Sequence, residues 1–69
     1  MKTLNDIIIE LWHISRTALA GKDCGRYERM IYIKRELNRT YPNHIKGLNG
    51  KQVWFAIEEQ TSITKYKTK

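Results

Sequence analysis

The sequence predicts an all-α domain: an antiparallel helical hairpin, closed by a shorter third helix and followed by a basic tail. Three observations lead there. Apolar residues recur at three- and four-residue spacing in two long runs, Gly21 and Pro42 punctuate the ends of those runs, and the one cysteine among 69 residues rules out an internal disulfide framework. A chain this short buries only roughly 60% of the surface it would expose unfolded, so contact with a partner or a second copy is expected to supplement a thin core.

In the first run Leu4, Ile7, Ile8, Leu11, Ile14, Ala18 and Leu19 fall on one arc, with Trp12 at its edge. The isoleucines Ile7 to Ile9 suit a strand by propensity, but the wider spacing selects a helix. Thr3 with Asp6 has the spacing of a capping start, and Gly21 is a natural stop. Ile9 falls on the polar side with Asn5, His13 and Arg16, where it extends an apolar edge beside Trp12.

Gly21-Lys22-Asp23-Cys24 is long enough only for a turn, and Asp23 can cap a second helix. The second run, Cys24 to Tyr41, carries Tyr27, Met30, Ile31, Ile33, Leu37 and Tyr41 at helical spacing. Its buried stripe is read as Met30, Ile33, Leu37 and Tyr41, with Tyr27 and Ile31 at the margin and Lys34 and Asn38 splitting the arc. Pro42 ends the helix, because proline disfavours helical geometry in the residue before it. On the far side lie Glu28, Tyr32, Arg35 and Arg39. The two arginines are like charges one turn apart, which costs a few tenths of a kcal/mol unless something anionic lies across them.

The segment from Ile45 to Phe55 admits two backbone readings. Asn49-Gly50 favours a hairpin turn, yet the flanking pairs would set apolar against charged residues, and Val53 to Ile57 does not alternate. As a helix start, Asn49 is the cap, Gln52 the third helical residue, and Leu48 with Val53 forms a hydrophobic staple. This reading gives a third helix from Gly50 to about Thr61. Residues 1–61 then form one domain, and 62–69 a basic tail, flexible or briefly extended. Ile45, Gly47, Gly50 and Val53, with Glu58-Glu59 further on, are similar to the loop and helix of KH RNA-binding domains. That resemblance implies a glycine-flanked loop approaching a phosphate backbone, with Lys46 and Lys51 adding charge. The sequence departs from the family where Pro42 replaces a preceding helix and two long helices replace the first strand.

Thirteen Lys and Arg against seven Asp and Glu give a net charge of +6. Between Lys22 and Lys51 eight bases face three acids, so the excess is concentrated in the middle of the chain. That balance points to anionic partners, nucleic acid first, or to a solvated face. Other chemistry finds little support. Glu10 and His13 form a lone E-x-x-H pair, Cys24 has no histidine beside it in sequence, and no phosphate-binding glycine loop of the extended kind occurs. Neither catalysis nor a cofactor is expected. No apolar run reaches the ~20 residues of a membrane helix, and the reading is a cytoplasmic protein without membrane contact.

Two functions stand as expectations. The first is a non-enzymatic accessory protein on nucleic acid or a nucleoprotein complex, with Arg29, Arg35, Arg39, Lys46 and Lys51 on phosphates and Tyr32 or Trp54 stacking on bases. The second is a regulatory or inhibitory protein, in the style of small early proteins of phages and mobile elements. It would dock on a protein target, or on itself as a homo-oligomer, through Ile9, Trp12, Trp54 and Phe55.

Overall fold

The computed structural model describes residues 2–19 and 25–67, with side chains described as far as Ser62. Three helices succeed one another: α1 (Leu4–Ala18), α2 (Arg26–Thr40) and, after a 3-10 turn at Pro42–Ile45, α3 (Gly50–Lys67). No strand occurs among the described residues, whereas the KH resemblance implies one.

Two of the three helices open on the reciprocal cap expected of them. At α1 the Thr3 hydroxyl accepts from the Asp6 N–H and the Asp6 carboxylate accepts from the Thr3 N–H, both at 3.2 Å. At α3 the Asn49 side chain accepts from the Gln52 N–H at 2.8 Å, and Gln52 accepts in turn from the Asn49 N–H at 3.0 Å. Each pair satisfies two amides that a helix start leaves orphaned. The hairpin at Asn49-Gly50 is thereby excluded. Leu48, expected as half of a staple, is 40% exposed.

Helix α2 begins later than the spacing implied. Gly25 is its N-cap, and Glu28 accepts from the Gly25 N–H at 3.2 Å. Asp23 and Cys24, expected at this start, lie outside the described residues, as does Gly21. The other end is where Pro42 requires it, with Tyr41 capping on the Leu37 carbonyl. Gly47 turns the chain toward α3 at φ +89°, a region that glycine enters without steric cost.

The third helix, at 18 residues, is the longest of the three rather than the shortest. Its backbone continues through the Thr-Ser-Ile-Thr stretch, whose β-branched residues lower helix propensity without forbidding the conformation. The core joins Ile7, Ile8, Leu11 and Trp12 of α1, Met30, Ile33 and Leu37 of α2, and Val53 and Ile57 of α3. Ser15, Gln60 and Thr61 are buried with them. Ile14, expected on the apolar arc, is 49% exposed, and Ser15 takes the inward position.

Contacts fix the helix directions. Arg29, in the first turn of α2, reaches Trp12 and Ser15 late in α1, so these two helices are antiparallel. Arg26 donates to the Glu58 carbonyl, the Thr61 hydroxyl and the Ser62 hydroxyl at 3.2, 3.3 and 2.9 Å, so α3 runs antiparallel to α2 as well. The first turn of α2 therefore ties the bundle at one end.

Candidate nucleic-acid interface

The cations divide by what they do in the fold. Arg29 is half-buried against α1. Its guanidinium lies 3.6 Å from the centre of the Trp12 ring, its Nε donates to Ser15 Oγ at 2.8 Å, and a terminal nitrogen donates to the Trp12 carbonyl. Ser15 Oγ itself donates to the same carbonyl at 2.7 Å, which completes a small polar plug. Burial, and after it the charge of Arg16, lowers the Arg29 pKa, as expected for a cation held partly out of water. Arg29, read from sequence as a phosphate contact, thus has two of its three guanidinium nitrogens bonded to α1. Trp12, read as a docking residue, is 9% exposed beneath it.

Arg26 is likewise committed to α3. Lys2 pairs with Glu10 at 2.8 Å, which also engages the carboxylate of the lone E-x-x-H pair. Among the described residues no three His, Cys, Asp or Glu side chains gather as a metal site would require. Arg39 pairs with Glu36 at 3.1 Å within α2, which offsets part of its repulsion from Arg35.

Two surfaces remain. On the outer side of α2, Arg35 and Arg39 flank a groove of about 520 Å³ lined also by Leu19, Glu28, Ile31, Tyr32 and Glu36. Tyr32 is half-buried here, packed against the core and lining the groove. Among the described residues the Arg35 side chain has no hydrogen-bond or ion-pair partner, and the exposed side chains of Lys46 and Lys51 have none either.

The second surface is the seam between α2 and α3. The Tyr27 and Trp54 rings meet edge to face, 5.6 Å apart at 67°, and Lys34 Nζ lies 6.0 Å from the Trp54 ring centre. Tyr27 is 62% exposed, whereas Trp54 is half-buried against the core. The same ammonium lies 3.7 Å from the position a Cβ on Gly50 would take, which sets it at the start of α3 close to Lys51 in sequence. Neither Tyr27 nor Lys34 stood among the residues read from sequence as contacts. Their seven-residue spacing, which puts both on one side of a helix just off the buried stripe, was the available signal.

The residues read as protein contacts are scattered. Ile9 is half-buried on α1, and Phe55 is 64% exposed on the outer side of α3. Compared with known protein families, curated proteins and solved structures, the chain shows no match. No described helix is long and apolar enough to cross a membrane.

Proposed function

We propose that this protein is a non-enzymatic accessory protein that binds nucleic acid, free or within a nucleoprotein complex, through the outward side of α2 and the start of α3. The observation carrying the proposal is the division of the cations. Arg26 and Arg29 bond within the fold and Lys2 and Arg39 have acidic partners, while Arg35, Lys46 and Lys51 have no counter-charge within ion-pair distance among the described residues. Phosphates supply that charge, and release of their condensed counterions drives association. Tyr32 in the groove and Trp54 on the seam add ring surface beside the cations.

The test is anisotropy of labelled oligonucleotides, single-stranded and duplex, across a salt series. Binding at low salt that weakens linearly on a log–log plot is the expected result. The triple substitution Arg35→Ala, Lys46→Ala, Lys51→Ala should reduce that slope by about 2, from the ~0.7–0.9 each neutralised phosphate contributes. Absence of binding at low salt, or binding indifferent to salt, overturns the proposal.

A second reading rests on Phe55, a large apolar side chain 64% exposed on a very small protein. In that reading the protein regulates a protein target, or a second copy, with Phe55 as the anchor and Ile9 as a lesser contact. A monomer by sedimentation at every accessible concentration argues against the self-associating form.

A further inference from the structure

We infer that the α2–α3 seam takes an unpaired nucleobase, so that the protein prefers single-stranded nucleic acid to duplex; the inference rests on the proposed nucleic-acid function. Tyr27 lies outside the core, yet its ring stands 62% exposed beside a tryptophan. At 67° the rings meet edge to face and form a corner on which most of Tyr27 is exposed. A planar group entering that corner stacks on one ring and meets the edge of the other, the two arrangements aromatic pairs favour. Bases in a duplex have both faces covered by their neighbours. An unpaired base offers a free face, and stacking on it is insensitive to sequence.

Charge at the corner matches the rest of a nucleotide. Lys34 Nζ sits 6.0 Å from the Trp54 ring centre, and Lys51, three residues before Trp54, projects from the same side of α3. Both lie toward the start of α3. The strand therefore passes from the ring pair toward Lys34 and Lys51. Tyr27 and Trp54 hold a base while the two lysines meet the flanking phosphates.

The experiment compares an oligothymidylate with a mixed-sequence duplex of equal length at one ionic strength, following anisotropy and tryptophan fluorescence. Trp12 is buried beneath Arg29, so quenching reports on Trp54, and Trp54→Phe should remove it. The single strand is expected to bind about tenfold more tightly. Tyr27→Ala should weaken single-strand binding by about tenfold, the loss of one stacked base, while leaving duplex affinity within about twofold and lowering the unfolding midpoint by only a few degrees, from the lost contact with Trp54. Lys51→Ala should weaken both ligands. Equal affinity for the two ligands, or a Tyr27→Ala variant that binds the single strand as well as the parent, overturns the inference while nucleic-acid binding stands. Failure to bind either ligand at low salt overturns both.

Discussion

Replacing Arg29 by alanine tests whether this arginine serves the fold or a ligand. Three contacts disappear: the 2.8 Å bond to Ser15 Oγ, the bond to the Trp12 carbonyl, and the guanidinium stacked 3.6 Å from the Trp12 ring centre. Hydrogen bonds from a charged donor are worth about 1.5–3 kcal/mol each, and a cation–π contact about 0.5–1 kcal/mol near a surface. Against these stand the desolvation of the guanidinium and its repulsion from Arg16, the two effects that hold its pKa down, and both are relieved by the substitution. The net loss should be about 2–3 kcal/mol. For a domain whose whole stability is about 4–10 kcal/mol, that is a large share. Urea unfolding followed by circular dichroism gives the comparison, with Arg35→Ala as the matched control, since that side chain has no partner among the described residues and its removal should cost less than about 0.5 kcal/mol. Thermal midpoints should separate by about 10 °C or more. Arg29→Lys, which keeps the charge and loses the fork, should recover only a minor part. If Arg29→Ala and Arg35→Ala cost the same, the division of cations between fold and surface is wrong.

Other perturbations separate the remaining claims. Gly47→Ala meets open space but holds φ at +89°, so it should cost about 1 kcal/mol, whereas Gly50→Ala, with a Cβ 3.7 Å from Lys34 Nζ and helical backbone, should be neutral or stabilising by about 0.5 kcal/mol in the same urea assay. A hairpin at Asn49-Gly50 would reverse that order. Asn49→Ala should cost about 1 kcal/mol, and combining it with Gln52→Ala should cost less than the sum, as partners in one cap require. Leu37→Ala, at a fully buried site within the core shared by all three helices, should lose about 2–5 kcal/mol in the same urea assay. Phe55→Ser should leave unfolding within about 0.5 kcal/mol of the parent, and any concentration-dependent sedimentation should vanish with it.

The local grammar of the helices was readable because it depends on residues three or four apart. Thr3 with Asp6, Asn49 with Gln52, and Pro42 after Tyr41 each act within one turn, and each behaves as its chemistry dictates. What escaped the sequence is long-range. Ser15 counts as polar in any apolar tally, yet it is fully buried because a nearby carbonyl and Arg29 together satisfy its hydroxyl. Arg29 looked like a surface cation because nothing within a turn of it reveals Trp12. Tyr27 read as the margin of a buried stripe and Lys34 as a break in it until Trp54, distant in the chain, came to lie beside them. The length of α3 was equally opaque, since β-branched residues weaken a helix by amounts that neighbouring packing can override.

The dependence of α2 on partners from both sides also sets a timetable for the growing chain. Ile57, Gln60 and Thr61 close the interior, and Arg26 finds its hydroxyl partners only at Thr61 and Ser62. At synthesis rates of roughly 5–20 residues per second, about a second or more separates the completion of α2 from the arrival of those residues. Through that interval Ile8, Ile33 and Leu37 lack the cover that α3 later gives them. The bundle is therefore finished only when the last third of the chain has been made.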